Sequence, residues 1–248
     1  MPRQSYRIGL LNRMEKKLQK ISKRYDRFSI IYDWIEAPIE KRYYSKWREI
    51  LLHNLKGEVM RNLPKANFCD AKGRAHALKC GARPLSVLEV GVGTGKNLPY
   101  YDPNRVELTA IDINKKMMDR AKERANQLKL KVNFRLIDSE KFPFPADSID
   151  YVVATFVLCS VNNQETVLKE MERVLKPEGK ILLLEHVLSK NKLIAFWQQL
   201  HNPLTKFLVG FNINRDTVGT IRKIGLKIIT EKNLVLKDVF KQLELQKG

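Results

Sequence analysis

Cysteine is scarce in this 248-residue chain: Cys69, Cys80 and Cys159 make an odd number with no CxxC pair. Neither a disulfide framework nor a zinc site is therefore expected, and a reducing compartment is the natural setting. Cys69, His76 and Cys80 lack a further ligand at suitable spacing, so no metal is expected. Long apolar runs are missing too. The longest, Tyr151 to Val161, is short and contains Thr155 and Ser160, whereas a membrane-spanning helix needs about 18 such residues. The N-terminus shows no apolar h-region and no small-residue cleavage site, so a secretory signal is not expected. Acidic residues are the minority, 27 against 46 basic ones, for a formal net charge of +19.

The positive charge is unevenly spread. Residues 1–24 hold eight basic groups against Glu15, residues 59–86 hold six against Asp70, and residues 25–58 balance. Attraction to an anionic surface, lipid or nucleic acid, is one reading; the solvated faces of a Lys-rich protein are the other. Residues 5–25 place Ile8, Leu11, Met14, Leu18, Ile21 and Tyr25 at steps of three or four, the spacing of an amphipathic helix. A basic helix of this kind suits peripheral contact with an anionic membrane, an organellar transit peptide, or packing on the domain. Otherwise a cytoplasmic location is expected.

Four regions are distinguished: the basic helix 1–24; an aromatic-rich, mostly helical lid 25–58 broken or kinked at Pro38; an insert 59–84 without periodicity; and a body 85–248. In the body strands and helices alternate. "LSVLEVG", "VELTAID", "KVNFRLID", "SIDYVVATFV" and "KILLLEHV" read as strands. "NKKMMDRAKERANQLKL", with Asn114 as N-cap, and "NQETVLKEMERVLKPEG", ended by Pro177 and Gly179, read as helices. Helices over roughly 190–210 and 215–224 follow, then closing strands "LKIITEK" and "VLKDVFKQLELQ". Such alternation predicts an α/β, doubly wound, mostly parallel seven-stranded sheet, with ligands bound beyond the strands' carboxyl ends.

The stretch "VLEVGVGTGKN" (87–97) is a strand breaking into glycines. A phosphate-binding Walker loop would need glycine at position 90 and Ser or Thr at 97, where this chain has Val90 and Asn97. A dinucleotide fingerprint would need glycine at 96, which is Lys96. What remains is Glu89-x-Gly91-x-Gly93-x-Gly95. An acid at the strand end suits an amine-bearing, cationic ligand better than a phosphate. The second strand ends in Asp112, where a carboxylate can accept ribose hydroxyls, and the third in Asp138-Ser139, where a side-chain oxygen can meet an adenine amino group.

These stretches, with "AIDIN", "FPFPADSIDYVVATFVLCSV" and "EMERVLKPEGKILLLEH", resemble the class I S-adenosylmethionine-dependent methyltransferases of the methyltransferase-11 group. The resemblance covers about Tyr25 to Gln242 apart from the insert. It implies a Rossmann-like methyltransferase fold with S-adenosyl-L-methionine as cofactor. By the resemblance, Glu89, Gly91, Gly93 and Gly95 surround the methionine part, Asp112 and Ile113 hold the ribose, Asp138 and Ser139 meet the adenine, and Thr155 opens the segment flanking the methyl group.

The acceptor is where alternatives stay open. "YDRFSIIYD", with Tyr25 and Tyr32, looks like the lid of quinone-precursor C-methyltransferases and bacterial phosphatidylethanolamine N-methyltransferases. "LLLEHVLSKNKLIAFWQQLHNPLTKFLVGFNINRDTV" looks more like lipid-associated thiol methyltransferases. A small apolar or lipid-like acceptor is expected, with Tyr25, Tyr32, Trp197, His201, Asn214 and Arg215 lining its pocket. His186, at the mouth of the site, is the candidate base, or else it only packs and orients the lid. A nucleic-acid substrate is disfavoured: no Asn/Asp-Pro-Pro-aromatic motif follows the fourth strand, Cys159 follows Leu158 rather than a proline, and the basic segments lack interleaved aromatics. The remaining alternative is a non-catalytic, cofactor-binding membrane or assembly factor.

Overall fold

The structure, a computed structural model, describes residues 38–61, 83–138 and 140–248. Tyr25, Tyr32 and Ser139, the basic helix 1–24 and most of the insert lie outside the described residues. The described chain begins at Pro38 with a helical turn, passes through a π-helical turn at Glu40–Tyr44, and continues as α1 (Ser45–Arg61). Helix therefore runs three residues past the expected lid boundary at 58.

The body alternates β1 (Leu85–Val90), β2 (Val106–Asp112), α2 (Lys115–Gln127), β3 (Val132–Leu136), β4 (Ile149–Thr155), α3 (Gln164–Val174), β5 (Leu175–His186), α4 (Lys192–Val209), α5 (Thr217–Ile224), β6 (Lys227–Asn233) and β7 (Phe240–Gln246). The seven strands form one sheet in the order β3-β2-β1-β4-β5-β7-β6. Strands β1 to β5 pair in parallel, and β7 runs antiparallel between β5 and β6. Asn114 caps α2 as expected, its side chain accepting from Met117 N.

Within the body, two boundaries differ most from expectation. Helix α3 stops at Val174 and β5 begins at once, with Leu175 paired to Ile149. Pro177 disfavours helical geometry at Lys176, so the chain extends early, and a register shift between Ile149 and Tyr151 absorbs the extra β5 residues. Strand β7 starts at Phe240 rather than near Val235, because Leu236 and Lys237 adopt positive φ (52° and 62°), which a strand cannot accommodate.

Alternation along the strands divides the core into two layers. Leu88, Val90, Val152, Ala154, Ile181 and Leu183 face α3 and α5, whose Met171 and Ile221 are fully buried there. Val87, Tyr151, Val153, Leu182 and Leu184 face α1 and α2, meeting Leu51, Leu52 and Ala121. Each buried aliphatic of this size contributes about 1.5–3 kcal/mol. The same parity places Glu89, Thr155 and His186 toward α1 at the carboxyl ends of β1, β4 and β5. The register sets Phe240 of β7 directly opposite His186.

Candidate active site

The glycine loop leaves β1 with positive φ at Gly91, Gly93 and Gly95 (69°, 54° and 78°). At Gly91 a Cβ would lie 2.5 Å from Val157 Cγ2, so glycine lets the loop after β4 approach closely. A Cβ on Gly93 would meet nothing within 4 Å, and this position forms the open floor of the site. Asp112, partly exposed at the end of β2, pins that floor: its Oδ2 accepts from Gly93 N at 2.7 Å and its Oδ1 from Asn114 N at 2.8 Å. Burial raises its pKa, and the backbone N–H groups of Asn114, Gly93 and Ile113 oppose that rise. A carboxylate oxygen has a second lone pair, so Asp112 can still accept hydroxyl groups.

Glu89 is 1% exposed. Its Oε1 accepts from Asn97 Nδ2 at 2.9 Å, while Oε2 has no hydrogen-bond partner. Desolvation pushes its pKa up to about 7, against the lowering effects of Tyr101, Asn97 and Arg48. Arg48 of α1, also buried, donates through Nη1 to Asn97 Oδ1 (2.7 Å) and Thr155 Oγ1 (2.6 Å), and through Nε to Glu40 Oε1 (3.1 Å). The amide of Asn97 is thereby oriented, carbonyl to Arg48 and N–H to Glu89. Lys96 approaches the other Glu40 oxygen at 3.6 Å. The lysine that suggests a phosphate loop thus serves an ion pair with the π-helical turn before α1.

Beside this polar network stands an aromatic box. Tyr44 of the π-helical turn and Trp47 of α1 meet Phe240 at ring separations of 6.0 and 5.5 Å, Tyr44 meets Phe156 at 4.7 Å, and Phe156 meets Phe240 at 6.3 Å. Arg48 lies over the Phe156 ring at 5.5 Å. Phe156 holds φ at 58°, a strained value for an aromatic residue, secured by its N–H donating to Leu184 O at 2.8 Å. His186 closes the box edge-on to Phe240 at 5.1 Å. Burial lowers its pKa to about 4, and its Nδ1 has no partner. The ring is therefore neutral at physiological pH, a hydrogen-bond acceptor but a poor proton sink.

The structure brings Glu89, Gly91, Gly93, Gly95, Asp112 and Thr155 together, with Ile113 next to the loop-pinning acid. Asp138 follows β3, where Ile137 N donates to Asp112 O at 3.0 Å, and its Oδ1 accepts from Glu140 N at 3.0 Å. Trp197, His201 and Arg215, expected to line the acceptor pocket, have partners outside the box. Trp197 is 56% exposed, and its ring stacks on His201 at 4.2 Å rather than on the box. Arg215 donates to Val161 O at 2.8 Å, and half-buried Asn214 precedes it, so this stretch braces the loop after β4. Glu185 braces the same loop from within: its Oε1 accepts from Val157 N (2.8 Å) and Leu158 N (2.9 Å). Sequence reasoning missed Arg48, Asn97, Trp47 and Phe240. The available signal was parity in β7 and the spacing of Tyr44, Trp47 and Arg48, at steps of three and four on one helix face.

These features fit S-adenosylmethionine. The partnerless, buried Glu89 oxygen suits a cationic amine, Gly93 leaves room for a ligand, and Asp112 suits a ribose diol. Among the described residues no cluster of His, Cys, Asp and Glu could hold a metal ion.

The family described as "Methyltransferase domain" matches residues 88–183. The chain is 39% identical to human thiol S-methyltransferase TMT1A over 139 residues, 54% of this chain and 56% of that enzyme. It is 31% identical to human thiol S-methyltransferase TMT1B over 186 residues, 73% of each. It is 38% identical to the phosphatidylethanolamine N-methyltransferase of Cereibacter sphaeroides over 119 residues, 47% of this chain and 58% of that enzyme. The chain thus spans little more than half of the first and third of these relatives. In fold it is similar to a SAM-dependent methyltransferase from Thermotoga maritima, with a TM-score of 0.59 at 15% identity over 92% of this chain and all of the other.

Proposed function

Since the chain belongs to the class I S-adenosylmethionine-dependent methyltransferases, we propose that it methylates a small apolar thiol seated in the aromatic box. The observation that carries this reading is the box itself: Tyr44, Trp47, Phe156 and Phe240 surround the end of β4 next to Thr155. Bound S-adenosylmethionine supplies an electrophilic methyl group on a sulfonium. Glu89 and Asp112 fix the donor's amine and ribose ends, and Arg48 and Asn97 hold Glu89 and Thr155 in place. The rings exclude water and orient the acceptor, which is the larger part of catalysis when the methyl is already activated.

The acceptor's proton needs an exit only if it is held at working pH. His186 is a neutral acceptor with a pKa near 4, so it can take a hydrogen bond from an S–H but stores a proton poorly. The rate should accordingly follow the acceptor's own ionisation. The likeness to two thiol S-methyltransferases supports sulfur as the acceptor atom. A phospholipid amine is the second reading, favoured by the rings, which can face an ammonium through cation–π contact.

The test is a product assay by mass spectrometry with alkyl and aryl thiols, phosphatidylethanolamine and quinone precursors. The proposal expects S-methyl products, with a pH–rate profile that moves when thiols of different pKa are compared. N-methylation or C-methylation without S-methylation would overturn it, as would a profile fixed by the enzyme for every thiol.

A further inference from the structure

Helix α4 is built inside out. A surface helix ordinarily turns its apolar stripe inward, yet Gln198 is the one fully buried side chain of α4 among the described residues. Its Oε1 accepts from Ser189 N at 2.9 Å, and its Nε2 donates to Val187 O (3.0 Å) and Ile213 O (2.8 Å). One turn on, Asn202 Oδ1 accepts from Ile213 N at 2.9 Å. Polar clamps therefore fasten the helix to the body. The other side presents Leu193, Phe196, Trp197, Leu200, Leu204 and Phe207 in one continuous stripe, each between 55% and 81% exposed. Scattered surface apolar residues are ordinary, but a contiguous stripe of this size marks an interaction face.

The charge around the stripe identifies its occupant. From Val187 to Arg215 the chain has no Asp or Glu, and Lys190, Lys192, Lys206 and Arg215 supply four positive charges. Lys190, Lys192 and Lys206 are exposed. A second copy docked here by two-fold symmetry would oppose lysines to lysines with no acid in the segment to pair them. Residues 1–24 of the same chain, at eight basic groups to one acid, offer no better counter-charge. An anionic lipid headgroup layer over an apolar interior matches both features at once.

We propose that α4 lies in the interface of an anionic lipid bilayer, its stripe turned into the acyl boundary and its lysines among the headgroups. Eighteen residues give the helix a length of about 27 Å along the surface. Among the described residues no helix, α4 included, is long and apolar enough to cross a membrane, and the proposal lays α4 along the surface. The proposal stands independently of the acceptor's identity.

Co-sedimentation of the full chain with vesicles tests it, comparing phosphatidylcholine alone with mixtures containing roughly 30% phosphatidylserine. Wild type should partition onto the anionic vesicles and much less onto the neutral ones. The F196E/F207E variant should bind at least about tenfold more weakly, because each substitution puts a charge into the acyl boundary. The K192E/K206E variant should lose binding to the anionic vesicles in particular. Both should keep the wild-type unfolding temperature without lipid, since the substituted side chains are exposed.

Equal vesicle binding by wild type and F196E/F207E would overturn the proposal. So would a drop of several degrees in that variant's unfolding temperature without lipid, which would show the stripe packed against another part of the chain. A lipid-indifferent dimer abolished by the variant would overturn it in favour of a second copy.

Discussion

Asp112 illustrates how one side chain joins structure to binding. It accepts the Gly93 and Asn114 N–H groups, and so shapes the loop floor at the end of β2 where the proposal puts the ribose. Asp112→Ala should weaken S-adenosylmethionine binding by about 1–3 kcal/mol, measured by calorimetry; unchanged affinity would remove this acid from the site. The residues before and within the glycine loop were legible in sequence because spacing alone excludes phosphate and dinucleotide loops. Arg48 and Asn97 were not legible. Their roles depend on α1 packing over β5 and the Leu98–Tyr100 turn, a long-range contact that no local pattern encodes. His186 was legible as a position at a strand end but not as a chemical state. Its low pKa comes from burial against Phe240, which lies 54 residues further along the chain and becomes its neighbour only through the β5–β7 register.

At the scale of elements, the loop after β4 is held by β5 through Glu185 and by the 212–215 stretch through Asn212 and Arg215. Glu185→Ala should leave two buried N–H groups without their acceptor and destabilise the fold by about 2–4 kcal/mol in urea unfolding. Glu185→Gln keeps an acceptor oxygen and should recover most of that. Phe240 joins α1, β4 and β5 in the aromatic box. Phe240→Ala should raise KM for an apolar acceptor severalfold while leaving cofactor affinity near wild type, which separates the box from the donor site. The doubly wound, mostly parallel seven-stranded sheet followed from the alternation of elements, but its strand order and the ends of α3 and β7 did not. Pro177 acted one residue upstream of itself, and the positive φ of Leu236 and Lys237 is imposed by the β6–β7 turn, since neither residue type announces it. Helix α4 was legible as an apolar stripe, though the sequence favoured a wall of the acceptor pocket. The stripe faces outward because Gln198 and Asn202 take the inward positions.

For the whole molecule, buried titratable groups set the pH dependence of stability. Glu89 and Glu185 have folded-state pKa values of about 7 and about 8, raised by burial from 4.5. The stability they contribute is fully present below the unfolded value and is lost as pH rises through 7 and 8. His186 runs the other way: with a folded pKa of about 4 against 6.5, its contribution is present above 6.5 and lost as pH falls toward 4. Two glutamates outweigh one histidine over this range, so the unfolding temperature of the ligand-free protein should fall as pH rises from about 5 to about 8.5. Glu185→Gln should flatten that decline. The most direct test of the account uses the same acid, because an amine-bearing donor must turn Glu89 from a neutral acid into a carboxylate. Calorimetric titration of the full chain with S-adenosylmethionine at about pH 6, in two buffers of different ionisation enthalpy, reads the protons released on binding. The account predicts saturable binding with release of about one proton, falling toward zero at about pH 8 and absent in Glu89→Gln. No binding, or binding whose proton balance is the same in Glu89→Gln as in wild type, would contradict it.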